Sequence, residues 1–296
     1  MDADGLPDPG SAGGISAALG GGLGTAARDA LGLFVSLRLV LGVFALWVWW
    51  QTTPPGPCHF EVARNGWATL PPLADQGAAF PLVGVWQRWD ACWYTKIATY
   101  GYEPGLDSVS FWPLFPLLTG IVGRLLLGAT ALGGLVVAGV AYVVAMTGLR
   151  RLVALDFDDE VGLATVVAIS IFPTAFFFFA PFTEALFLAT AVWAILAARQ
   201  RLWAIAAVAG LLAGLTRIQG VFLVLPLGWE ALMTWREGLG PRPTSGSSGG
   251  KILGPTLATL APAIGFGTFI AFTSMAPAGK LIGCRLTKRS SCPSIE

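Results

Sequence analysis

FWPLFPLLTGIVGRLLL, residues 111–127, is the stretch on which the organisation of this chain turns. It is apolar but for Thr119 and Arg124, and it approaches the roughly 20 residues that an α-helix needs to cross about 30 Å of hydrocarbon. Pro113 and Pro116 stand near its start, where each removes a backbone donor and favours a bend. The next apolar run, 129–149, leads directly into Arg150 and Arg151. A long loop precedes both runs. If that loop lies on one side of a membrane and the arginine pair on the other, the chain crosses an odd number of times between them, and two full crossings are excluded. The prolines make 111–127 the partial one, a bent or re-entrant helix, since broken backbone at membrane depth is tolerated only against protein or a water-filled cavity.

Composition puts the whole chain in that setting. Of 296 residues, 55% are hydrophobic and 12% charged, too little polar surface for an ordinary globular protein. The expected fold is all-α, a polytopic transmembrane helix bundle of the cell membrane. Apolar segments fall at about 31–50, 111–127, 129–149, 161–182, 184–198, 203–216, 218–235 and 255–275. Two of them, 184–198 and 203–216, are short for a crossing, so they begin below a membrane surface or traverse a thin region. A net charge of +1 gives no case for nucleic acid as a partner.

Orientation follows from the basic loops. Arg150 with Arg151, Arg199 with Arg201, and Arg236, Arg242 and Lys251 are assigned to the cytoplasm. Two hairpins then point outward, with tips near Pro181 to Glu184 and near Arg217, and the loop 51–110 faces outward as well. Asp90, Glu184 and Arg217 thus converge on one membrane face. The basic residues after the last segment, Lys280, Arg285, Lys288 and Arg289, do not fit this scheme.

Residues 1–30 are expected to be a flexible cytoplasmic tail and not a cleaved signal peptide, 31–275 the transmembrane domain, 236–254 a Gly/Ser/Pro-rich cytoplasmic linker, and 276–296 an atypical tail whose end reads as truncated. Cys58 and Cys92 can pair if their loop faces an oxidising compartment, or remain thiols. No cysteine spacing fits zinc, no cluster of ligands stands out, and neither a metal nor a cofactor is expected. His59 reads as an ordinary loop residue.

Within the outward loop, RWDACWYTKIATYGY, from Arg88 to Tyr102, sets an acid among aromatic rings. At helical spacing Trp86, Asp90, Trp93 and Tyr94 share a face. A carboxylate there is either paired, with Arg88 or Lys96, or held for chemistry at a partly dry surface. Asp90 is the candidate catalytic residue. Glu184 either complements the dipole at a helix start or binds substrate. Arg217 either sits as a cation at a helix C-terminus, or snorkels, or clamps a phosphate. Arg38, inside the first segment, snorkels or pairs within the bundle and receives no role. The FPTAFFFFAPF run, residues 172–182, reads as lipid-facing or core packing.

A carboxylate, an arginine and a proline-broken cavity at one face of an apolar bundle suit an enzyme acting on a lipid-linked substrate. In glycosyl transfer from a lipid phosphate the leaving group is already a stable anion, so a single base suffices, unlike glycoside hydrolysis with its two carboxylates. What remains is to offset phosphate charge as the bond breaks, which an arginine does well.

RWDACWYTKIATYGY followed by SFWPLFPLL resembles the signature of the glycosylphosphatidylinositol mannosyltransferase II (PIG-V-type) family, in which an R/K-W-D motif and a GY precede an FFPLFP-like stretch. FPTAFFFFAPFTEALFLA resembles that family's phenylalanine-rich segment ending in an S/T-E pair, and GLLAGLTRIQG its segment bearing an arginine between glycines. The resemblance covers residues 31 to 235 in consistent order. It implies a GT-C-like fold with a long first extracytoplasmic loop and an inverting glycosyltransferase that takes sugar, mannose above all, from a polyprenyl-phosphate donor. The implied roles are general base for Asp90 and substrate binding for Arg88, Trp89, Glu184 and Arg217. The implied partners are the polyprenyl-phosphate-linked donor, a lipid or glycan acceptor and membrane lipids. The chain departs from the family at Ile218 and Gln219, where an Asn usually follows the arginine, and in ending near 296 where family members continue through further spans. The rival expectation is a transporter or flippase for a lipid or polar solute, which shares broken helices and intramembrane charges. A third is a non-catalytic assembly partner that retains the fold.

Overall fold

A computed structural model of the chain describes residues 22–51, 82–102, 107–238 and 248–275. Most of the expected tail and outward loop, including Cys58 and His59, the middle of the linker, and the segment 276–296 lie outside the described residues. Within them every element is helical: α1 (Leu23–Gln51), α2 (Asp90–Tyr100), α3 (Leu114–Leu125), α4 (Thr130–Val153), α5 (Asp159–Ile171), α6 (Phe176–Phe179), α7 (Glu184–Arg199), α8 (Trp203–Thr216), α9 (Val224–Gly238) and α10 (Ser248–Met275). Among the described residues four stretches are long and apolar enough to cross a membrane, Leu23–Gln51, Thr130–Val153, Ile218–Glu237 and Leu253–Ser274. The pair Asp159–Ile171 and Pro173–Phe179 is apolar enough only when taken together, and it is bent by 76° at Phe172, as a broken span or a re-entrant loop.

The helices start and stop for local reasons. Asp158 caps α5 by accepting the Val161 N–H at 2.8 Å, and Asp159 and Glu160 follow in its first turn, where the helix dipole favours acids. Arg150 and Arg151 occupy the last turn of α4, where it favours cations. The two ends meet: Arg150, its side chain only 8% exposed, binds Asp159 through Nε at 2.9 Å and also pairs with Asp29 of α1. Arg199 at the end of α7 pairs with Asp156, and Arg201 reaches Glu237 of α9 at 2.7 Å. Arg150, Arg199 and Arg201, three of the arginines assigned to one membrane face by counting, are thus gathered at one end of the bundle, with Asp29, Asp156, Asp159 and Glu237 neutralising them.

That end also corrects one boundary. Residues 23–30, expected to belong to a flexible tail, form the first turns of α1. Ala26 and Ala30 are buried, being small enough to let α1 close on its neighbours, and Asp29 is held by Arg150. The linker is likewise shorter than 236–254, because α9 runs to Gly238 and α10 begins at Ser248.

Helix lengths then shape the opposite end. At 1.5 Å per residue, the 24 residues of α4 span about 36 Å, whereas the 16 of α7 and 14 of α8 span only about 24 and 21 Å. α3, with 12 residues and about 18 Å, is too short to cross, as its prolines suggested. It turns back tightly into α4 through Leu126 to Ala129, with Leu127 and Gly128 in the left-handed region. Residue 148 of α4 lies beside Val192 and Trp193 of α7. The two helices run the same way, so Glu184 comes level with about residue 139 of α4, roughly 14 Å short of that helix's Thr130 end. α7 and α8 therefore stop inside the bundle and leave a recess above them.

Candidate active site in a recess between short helices

The floor of the recess is an ion pair. Arg217 Nη1 donates to Glu184 Oε1 at 2.6 Å, with the two side chains 32% and 29% exposed. Glu184 opens α7. Arg217 terminates α8 with extended backbone (φ −155°, ψ 154°), after which Ile218–Leu223 forms a 3₁₀ turn. Glycines make this break possible. A Cβ on Gly220 would overlap the Ala213 carbonyl oxygen, and one on Gly214 would overlap that of Pro262, so the 3₁₀ turn and α10 press on α8 backbone to backbone. The second carboxylate oxygen, Glu184 Oε2, is buried without a hydrogen-bond partner among the protein groups. Glu184 also lines a cavity of about 400 Å³ walled by Phe172, Phe177 and Phe178.

Above the pair stands α2. Tyr94 is buried, T-stacked on Phe111 and Phe115 with centroids 5.3 and 5.1 Å apart, and its phenol is hydrogen-bonded with Thr183, the residue before Glu184. The charges of Asp90, Glu184 and Arg217 all act on that phenol. α2 is not a spanning helix, and burial is the chief reason its Tyr94 hydroxyl is pushed up to about 12, so it is a neutral donor at physiological pH. Asp90, one turn earlier, is exposed at the start of α2. The three charged residues that topology sends to one face are therefore brought into one neighbourhood, with Tyr94 and Thr183 as the links.

Arg88 and Trp89 take a different place. They line a second cavity of about 280 Å³ between α1, the segment 85–89 before α2, and α6, together with Leu41, Trp86, Phe176 and Phe182. Trp89 is mostly exposed, packs against Phe176 at 6.5 Å, and has a positive φ of 50° at the N-cap of α2. A bulky residue in that region stores about 1–3 kcal/mol of strain. Arg38 stands beside this cavity: it donates to the Phe179 carbonyl at 2.8 Å and stacks 4.2 Å from the Trp86 ring. Buried Cys92 is disulfide-bonded, so of the alternatives left by the sequence a free thiol at Cys92 is not the one observed.

Tyr94 and Thr183 received no role in the sequence, although Tyr94 stands at i+4 from Asp90 and Thr183 is the S/T of the S/T-E pair. A third cavity, about 660 Å³ and almost wholly apolar, lies between α3, α4, α7 and α8. Among the described residues no group of three or more His, Cys, Asp or Glu side chains is arranged to hold a metal ion. No family model matches this chain, and no curated protein and no solved structure matches it.

Proposed function

We propose that this membrane protein is a glycosyltransferase that moves a sugar, with mannose the first expectation, from a polyprenyl-phosphate donor to an acceptor hydroxyl, as the PIG-V-type resemblance implies. The observation that carries the reading is the convergence of Asp90, Tyr94, Glu184 and Arg217 at the recess above the short helices α7 and α8. Asp90 is exposed there and free of the depth that would make its charge costly, so it suits a general base. In the proposed step the acceptor oxygen attacks the sugar C1 and its proton passes to Asp90. The bond from C1 to the phosphate oxygen breaks, and the electron pair leaves with the lipid phosphate. Attack from the face opposite the phosphate inverts the anomeric centre.

Glu184 suits a neutral hydroxyl. Arg217 already balances its charge, while Oε2 keeps its lone pairs for a donor. The phenylalanine walls of the adjoining cavity offer apolar faces to a sugar ring. The test is transfer of labelled mannose from polyprenyl-phosphate mannose by membranes carrying the wild type or Asp90→Asn. Loss of about a hundredfold or more is expected for the variant, the lower range for a general base, and undiminished transfer would overturn the assignment.

One observation serves the rival. The 76° bend between Asp159–Ile171 and Pro173–Phe179 fits a broken span of the kind transporters use. Uptake or flipping of a labelled lipid by reconstituted protein, with Asp90→Asn unchanged, favours that reading instead.

A further inference from the structure

The charge most in need of an anion is Arg38, which no reading of the sequence assigned a role. It sits in the middle of α1, one turn after Phe34, whose ring stacks on Phe179 and reaches Gly139 of α4. Inside an apolar helix bundle a guanidinium calls for a partner of opposite charge. Its partners here are a carbonyl oxygen and an indole ring, both neutral, and no acid among the described residues pairs with it. Arg217, by contrast, is already joined to Glu184. An arginine paired with a carboxylate is a poor seat for a phosphate, because the anion must compete with or repel that carboxylate.

The surroundings of Arg38 fit the missing anion. The Trp86 ring that stacks on it also lines the cavity of about 280 Å³, and Arg88 lines the same cavity. Its other walls, Leu41, Trp89, Phe176 and Phe182, are apolar. Phe44 of α1 lines it as well, and beyond it the outward half of α1 carries exposed Trp47 and Trp50. A guanidinium with neutral partners beside an apolar groove complements a ligand with an anionic head and a hydrocarbon tail.

We infer that Arg38 seats the phosphate of a prenyl-phosphate lipid in the groove between α1, residues 85–89 and α6, and that Arg217 does not. The identity of the lipid rests on the glycosyl-transfer reading; the location of the seat rests on the groove and on Arg38. Arg38 is thus a positioning residue for the leaving phosphate, and Glu184 with Arg217 is left to hold hydroxyls.

The experiment compares binding of farnesyl phosphate and farnesol to the full chain in nanodiscs. Wild type is expected to prefer the phosphate by about tenfold or more, the scale of a charge-assisted hydrogen bond. Arg38→Gln should bring the two ligands to near parity, whereas Arg217→Gln keeps the preference. Arg38→Lys disturbs the stacking and the carbonyl contact as Arg38→Gln does but retains the charge, so it should keep most of the preference; equal loss in both, with lowered melting temperatures, would mark a merely structural arginine and overturn the proposal. So would a preference that survives Arg38→Gln, one lost only in Arg217→Gln, or none in wild type. Sugar transfer measured on the same preparations separates the two claims. Transfer with the preference intact in Arg38→Gln removes the seat and leaves the enzyme, and a preference lost in Arg38→Gln without any transfer by wild type leaves the seat and removes the enzyme.

Discussion

Arg217 and Glu184, 33 residues apart in sequence, meet at 2.6 Å where α8 ends and α7 begins, and this contact ties together the two helices that stop short of the Thr130 end of α4. Each partner is about a third exposed, so the pair is neither a screened surface bridge nor a fully desolvated one. Removing one partner leaves the other charged in a recess of low polarity. Glu184→Gln and Arg217→Gln are each expected to lower the unfolding midpoint in detergent, and the double variant less than the sum, with a coupling energy of about 1 to 2 kcal/mol. Strict additivity would mean that the contact contributes nothing.

Tyr94 offers a narrower test. Phe at this position keeps the T-stacked contacts with Phe111 and Phe115 and removes only the hydroxyl that bonds with Thr183. Tyr94→Phe should cost about 1 kcal/mol of stability, the usual net contribution of one hydrogen bond. Thr183→Val should cost about the same, and the two together little more than either. In an activity assay both are expected to lower transfer less than Asp90→Asn, because they position the start of α7 and do not take the acceptor proton.

The glycines at the break after α8 separate tight packing from mere flexibility. A methyl group on Gly214 would overlap the Pro262 carbonyl oxygen of α10, and neither backbone can retreat without opening the interface. Gly214→Ala is expected to cost about 1 to 3 kcal/mol by overpacking. At Gly267, in α10 itself, nothing lies within 4 Å of an added Cβ, so Gly267→Ala should be neutral or slightly stabilising through helix propensity. Similar yields and melting temperatures for both variants would contradict the packing.

Much of this arrangement is legible in the sequence because it rests on local chemistry. The partial character of 111–127 follows from Pro113 and Pro116 and from crossing parity, and the short spans 184–198 and 203–216 differ from α7 and α8 by at most one residue. The start of α1 is not legible, since Ala26 and Ala30 become helical by packing against other elements and Asp29 by meeting Arg150. The separation of Arg88 and Trp89 from the Glu184 pair is not legible either. They precede Asp90 directly, but the positive φ of Trp89 turns the chain as α2 begins and sends them to the groove against α1. Pairing of Arg217 with Glu184 is a long-range contact that no local pattern encodes.

The opposite end of the bundle predicts an acid response. Asp156 lies in the turn between α4 and α5, and the hydrogen bond from Arg199 holds its carboxyl below the ordinary value of 3.8, against a weaker desolvation effect. A carboxyl whose pKa is depressed by folding stabilises the fold above the unfolded value, and that contribution is lost as pH falls through the folded value beneath it. The difference in unfolding midpoint between wild type and Asp156→Asn should therefore be constant from about pH 7 down to about pH 5, then shrink below about pH 4 and vanish in stronger acid. Other acids, Asp159 among them, titrate in both proteins and cancel in the difference. Asp156 is about half exposed, so the effect is small and falls further with added salt. A difference that grows toward low pH would have the opposite sign to the one this pairing requires, and would show that Arg199 does not hold Asp156 in the folded protein.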